Sequence, residues 1–281
     1  MSQAPRIPGK YGKRPPKNAP ALMLGPLLTG TVPAHPAAVD YIAAMDGGWQ
    51  MLGNDVAGNC AAVTWANVRR MITTVLGATP SYPDEDQVWA IYETQNPQFD
   101  PKGSDATNGP GSPYDQGMDL QTLFEDLNKT PGPDGAKIVA FAKVDPANDE
   151  EVQAAIAIFG YVWTGIEVTS INEEEFAGDK PWDYKANSPV EGGHSIVTGG
   201  YGAEPADGDQ DPAVTGGDNK FETWATETSF TRKFWEKQVD ECWVVIWPEH
   251  LGTKAFLEGV DQTALAAAYK QITGRALPAA A

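Results

Sequence analysis

Hydrophobic periodicity in this chain changes character along its length, and the order of that change limits the architecture more than any other feature. From Cys60 to about Leu76, the residues Ala61, Trp65, Val68, Met71, Ile72 and Val75 fall at helical spacing. Asn59 suits the N-cap of that helix, and Gly77 a stop. Shorter helices are predicted over 36–46, 84–95 and 119–128. Ile138 to Lys143 reads as a strand. Asn148 with Glu151 makes a capping box that opens a helix to Phe159, and a strand from Tyr161 to Val168 follows. Residues 169–192 read as a polar loop. Beyond them the pattern turns to β, with strands at 194–201, 220–226 and 239–247, then a terminal helix of about 261–272. Helices first and strands later give an α+β layout, not an alternating βαβ one.

The 281 residues can bury a sizeable core without disulfide or metal staples. No apolar run approaches the length of a membrane span, and the polar start Met-Ser-Gln-Ala-Pro-Arg gives no secretory signal. The expected location is cytoplasmic or particle-associated. The formal charge is −18, which disfavours nucleic acid as a partner. Two cysteines, Cys60 and Cys242, are expected as free thiols. With only three histidines besides, a structural zinc site is not expected, and no dinucleotide or P-loop motif implies a cofactor. Asp207, Asp209, Asp211 and Asp218 are spaced like calcium ligands, but Pro212 stands where such a loop needs glycine, so the stretch reads as a solvated hairpin tip. Trp65, Trp89, Trp163, Trp224 and Trp243 lie inside helix or strand patterns and read as core.

Charge is uneven. Residues 1–20 carry five cations, Arg6, Lys10, Lys13, Arg14 and Lys17, and no acid, so the rest of the chain holds 15 basic and 38 acidic groups. Seven prolines in residues 1–34 prevent a helix there. The expected organisation is an extended basic arm over 1–34, a main domain over 35–252, and a C-terminal helix and tail over 253–281. The arm should lie on an acidic surface, its own or a neighbouring subunit's, with Leu22, Met23 and Leu27 in apolar pockets.

Two residues could carry chemistry. Cys60 stands at the first position of the strongest helix, after a glycine-rich loop, where the helix dipole favours a thiolate. A free cysteine there could equally pack as a small hydrophobe. His194 follows Glu191-Gly192-Gly193 and opens an apolar strand, a place that suits a general base and equally a strand-end histidine. His35 and His250 read as solvated surface groups.

Gly58-Asn59-Cys60 opening a long helix, Gly193-His194 opening a strand that ends Gly200-Tyr201-Gly202, and Thr228-Ser229-Phe230 resemble the papain-like cysteine peptidases. The resemblance covers roughly residues 45 to 247. It implies a nucleophilic Cys60, a His194 base, Asn54 in the place of the family's oxyanion glutamine, and Thr228 in the place of the asparagine that orients the histidine. Glu227 is the alternative third member. Gly58, Gln116, Gly117 and Gly193 match the substrate groove. Ala61 replaces the family's usual aromatic residue, Asp55 adds a charge expected to raise the thiol pKa, and the inhibitory pro-segment common in the family is missing from the 59 residues before Cys60.

What the resemblance implies is a cysteine peptidase or amide and isopeptide hydrolase acting on peptides or proteins. The alternative is a papain-fold part of a larger assembly, such as a phage or bacterial particle, that binds and does not catalyse. A transglutaminase-like or acyltransferase use of the same Cys-His pair stays open.

Overall fold

The computed structural model describes residues 6–17, 19–20, 22–30, 32–45, 48–77, 81–202 and 219–278. The expected calcium-spaced aspartates fall outside the described residues. The helical half contains α1 (Cys60–Val75), α2 (Glu85–Glu93) and α3 (Leu120–Lys129). The sheet contains β1 (Val39–Asp40), β2 (Ala140–Val144), β3 (Val162–Thr169), β4 (Val190–Tyr201), β5 (Lys220–Thr223), β6 (Thr226–Ser229) and β7 (Val239–Ile246). Its order is β2-β7-β3-β4-β5-β6, with β1 paired to β4 and every pairing antiparallel. Helices α4 (Asp149–Phe159), α5 (Ser170–Ala177), α6 (Arg232–Gln238), α7 (Lys254–Gly259) and α8 (Gln262–Thr273) complete the α+β fold.

Strand parity divides the core into two clusters. Trp163, Val197, Trp243 and Val245 pack with Trp65, Val68, Met71, Ile72, Phe124 and the rest of the α1–α3 cluster. Their strand neighbours Val162, Ile196, Cys242 and Val244 pack on the cluster containing α4, α6 and Phe256. All five expected core tryptophans are buried. Arg69 fastens the helical side: it pairs with Asp134 at 2.7 Å and Glu249 at 2.8 Å and lies 4.5 Å from the Trp247 ring centre.

Several expectations change. The 36–46 segment is not a helix: Val39 and Asp40 pair with Tyr201 and Gly200, and a turn follows in which Asp40 accepts the Ala43 N–H. The polar loop 169–192 holds α5, opened by the Thr169–Asn172 capping box, and the start of β4. Helix α5 carries no apolar stripe, so periodicity could not announce it. Residues 220–226 turn at Trp224 and Ala225, both at positive φ, into the β5–β6 hairpin. His250 is fully buried, accepting from the Trp247 N–H and meeting the Phe159 carbonyl, and burial pushes its pKa down to about 4. His35 is half-buried against Tyr201 and 3.3 Å from Glu150.

The second part of the arm is anchored at Leu27, as expected, with Leu22 half-buried against the same cluster, but not at Met23. Met23 is 39% exposed, whereas Leu24, Leu27 and Leu28 are buried in the α4-side cluster. The Leu27 carbonyl accepts the Asp261 N–H, tying this segment to the start of α8. Leu27→Ala should cost about 2–4 kcal/mol in denaturant unfolding, and Met23→Ala less than about 1 kcal/mol.

A buried polar chain links α1 to β5. Glu222 accepts from Asn67 at 2.5 Å and from the Ala225 N–H at 3.0 Å, and Asn67 in turn accepts from Tyr82. Burial raises the Glu222 pKa from 4.5 to about 8. The folded carboxyl therefore holds its proton where the unfolded one has lost it. Its contribution to stability is full below about 4.5 and is lost as pH rises through about 8. The Tm should fall between pH 5 and 8, and Glu222→Gln should flatten that fall in pH-resolved calorimetry.

Candidate active site

The site begins at the N-terminus of α1. Cys60 is 1% exposed and faces the start of β4. Thr64, one turn along, donates to the Ser195 carbonyl at 3.0 Å, and the Ser195 hydroxyl bridges Thr64 and Trp163. The backbone N–H of Ser195, the residue after His194, lies near enough to favour the Cys60 thiolate. The helix end is thus pinned to the histidine strand. Asn59 does not cap α1 with its side chain; its amide donates to the Leu52 carbonyl and shapes the preceding loop. Gly58 N–H donates to Asp115, which also accepts from Tyr92 and Gly111.

His194 Nε2 lies 2.7 Å from the Thr223 hydroxyl, at the end of β5. Thr228, placed in this role on sequence, sits on β6 opposite Phe221, and its hydroxyl makes no hydrogen bond. Glu227 is engaged elsewhere, 2.7 Å from Lys220. The usable sequence signal was Trp224. A polar residue just ahead of a tryptophan was present at 223–224, and the tryptophan ring lies 5.0 Å from the imidazole. Trp224 and Ala225 have φ of 48° and 58°, a conformation that costs energy for such residues. Glu222 holds this turn through the Ala225 N–H.

The groove between these two walls is filled by the chain's own arm. Lys10 N–H donates to the Asn54 carbonyl at 2.7 Å, and the Asn54 amide returns a bond to the Lys10 carbonyl at 3.0 Å. Gly12 and Lys13 N–H groups reach the Gly193 carbonyl at 3.1 and 2.9 Å. On the other wall, Met118 N–H donates to the Gly12 carbonyl and Met118 accepts from Arg14. The arm thus pairs with Met118 in parallel. Tyr11 packs edge-on against His194 and Trp224, and its hydroxyl bonds Glu173. The Arg14 guanidinium holds the Gln116 and Gly117 carbonyls. The slot is one backbone wide: a methyl group on Gly12 would stand 1.7 Å from the Gly58 carbonyl oxygen, and one on Gly193 2.2 Å from the Lys13 carbonyl oxygen.

The electrostatics follow from this filling. Burial pushes the Cys60 thiol up to about 11, although N–H groups of Ser195, Gly12 and Ala61 and the Lys13 charge favour the thiolate. Asp55, expected to raise it, is exposed and takes no part. Burial lowers His194 to about 3, and its Nδ1 makes no hydrogen bond. With the arm in place both groups are neutral between these values. Both main-chain groups of Gly12 are engaged, its N–H on the Gly193 carbonyl and its carbonyl on the Met118 N–H. Cys242 is also buried, and burial pushes its thiol far up.

Among the described residues no cluster of three or more His, Cys, Asp or Glu could hold a metal ion, and no helix is long and apolar enough to cross a membrane.

No protein-family model matches the sequence, and no curated protein matches it. Solved structures do match in fold. Xylellain, a cysteine protease from Xylella fastidiosa, aligns over 88% of this chain and 99% of its own, with TM-score 0.55 and 15% identity. Digestive procathepsin L 3 from Tenebrio molitor larval midgut aligns over 86% and 76%, with TM-score 0.52 and 10% identity. The cysteine protease and lectin-like domains of Cwp84 from Clostridium difficile align over 78% and 53%, with TM-score 0.51 and 11% identity. At these identities the likeness is one of fold, and that fold is the papain-like cysteine protease fold, in a divergent form.

Proposed function

We propose that this chain is a cysteine peptidase acting on peptides or proteins, held inactive by its own N-terminal arm. The observation that carries the reading is a peptide main chain lying in hydrogen-bonded register between Cys60 on one wall and the His194 strand on the other. A groove that binds a backbone on both sides binds a substrate backbone by the same donors and acceptors. Departure of the arm returns water to both side chains and removes the desolvation that keeps them neutral. Cys60 then gives its proton to His194. The thiolate attacks the substrate carbonyl carbon, and the oxyanion is held by the Cys60 N–H and by the Asn54 amide proton that Lys10 now occupies. His194 passes its proton to the leaving amine, and water completes hydrolysis of the thioester. Thr223 orients the imidazole through Nε2.

Gly12→Ala tests the block without altering either wall. Its methyl group cannot pass Gly58, so the arm should leave. Iodoacetamide should then label Cys60 at pH 7 at least about 10-fold faster, because the thiol returns toward its ordinary pKa. In the unaltered chain labelling should stay slow at neutral pH and climb only toward pH 11. Unchanged labelling in Gly12→Ala would separate the arm from control of the thiol.

The two threonines give a second check. In the Gly12→Ala chain and on a quenched fluorescent peptide, Thr223→Val should lower kcat about 10–100-fold through a misplaced imidazole, and Thr228→Val should leave kcat within about twofold. No turnover of any peptide by a chain whose Cys60 labels rapidly would contradict the peptidase reading and favour a binding component.

A further inference from the structure

The side chain that follows the blocking glycine occupies a pocket of its own. The Lys13 backbone lies on Gly193 of β4. Its side chain, 1% exposed, crosses Gly165 of β3 and ends at β7, with the ammonium 2.6 Å from Asp240 and 3.1 Å from Glu241. Strand register explains the reach: Gly165 pairs with Ser195 on one side and Glu241 on the other, so the stem passes over β3 to reach β7, neighbouring strands lying about 4.8 Å apart. Gly165 supplies the opening. A methyl group there would stand 2.7 Å from Lys13 Cδ and 2.6 Å from Glu241 Cγ. At the far end the Glu241 carboxylate, 2% exposed, is fixed on its other oxygen by the Trp243 indole N–H at 2.7 Å. Asp240 is 32% exposed and adds the second charge.

We infer that Asp240, Glu241 and Gly165 form a substrate subsite that selects a lysine or arginine side chain next to the residue lying over Cys60. This rests on the peptidase reading only for the word substrate; the occupant of the pocket is seen in the fold itself. Two acids at the end of a glycine-floored channel have no use for a neutral tenant. A leucine would leave Glu241 buried without a counter-charge, and a site whose buried polar groups go unpaired rejects the wrong ligand strongly. The arm satisfies the pocket with Lys13 while the main chain of Gly12 is held by Gly193 and Met118.

The test uses the full-length chain and two readouts. Iodoacetamide labelling of Cys60 reports how firmly the arm is seated and needs no turnover. Lys13→Met should speed labelling about 10-fold or more, Lys13→Arg should restore the slow rate, and Lys17→Met, on an exposed side chain, should stay within about twofold of the parent. Hydrolysis of quenched peptides reports selection: one containing Lys-Gly-Lys should be cut at least about 10-fold faster than one containing Leu-Gly-Leu, and Asp240→Asn with Glu241→Gln should erase that preference. Lysines on both sides of glycine serve either chain direction. Equal labelling of Lys13→Met and Lys17→Met, or equal cleavage of the two peptides, overturns the subsite. Faster labelling of Lys13→Met with neither peptide cut keeps the basic pocket and removes the peptidase reading. The peptide preference is read on the Gly12→Ala chain, whose arm has left the groove, so it does not depend on Lys13→Met folding.

Discussion

A peptide main chain buried between two walls must find partners for its N–H and C=O groups, and in this molecule that demand organises the site. Residues 10–14 find their partners at Asn54, Gly193 and Met118. The three lie in three separate parts of the chain, the loop before α1, the β4 strand and the loop before α3, and the arm draws them together. Close approach requires glycine at Gly12, Gly58 and Gly193, where any side chain would strike a carbonyl. Exclusion of water then follows, and with it a neutral thiol and a neutral imidazole.

The arm is held by two chemistries at its two ends. Near the groove the anchors are polar: backbone bonds, the Tyr11 hydroxyl on Glu173, the Arg14 guanidinium on two carbonyls, and the buried Lys13 ammonium on two carboxylates. Breaking such a buried pair by removing one member costs about 3–5 kcal/mol, far more than a surface pair. Farther along, Leu24, Leu27 and Leu28 are buried beside α8. The apolar anchor keeps the arm on the body, and the polar anchor sets its register.

The helical half was legible because its periodicity is strong: α1, α2, α3 and α4 begin and end within two residues of their expected bounds. Cys60 and His194 were legible as candidates because each heads an element. What the sequence concealed was pairing. Thr223 and not Thr228 meets His194 because the chain turns at Trp224-Ala225, and positive φ at a tryptophan and an alanine leaves no turn signature. His250 looked solvated beside Pro248 and Glu249, yet the turn folds it onto Phe159. The arm was recognised as an extended basic segment that docks. Its seat in the groove was hidden, since Gly12 reads as an ordinary glycine until Gly58 stands beside it. Lys13 was counted only as one of the five cations of the arm, and the strand register brings Asp240 and Glu241 to its side chain.

The central claim is that the seated arm keeps the Cys60 and His194 pair uncharged. Nitrogen NMR of the histidine side chains in the full-length chain tests it directly, with His194 assigned by comparison with His194→Ala. The account predicts a neutral His194 imidazole at every pH from 5 to 9, with no titration in that window, as its pKa near 3 requires. An imidazolium signal from His194 at pH 7 would mean that a thiolate–imidazolium pair forms with the arm in place, and would contradict the account.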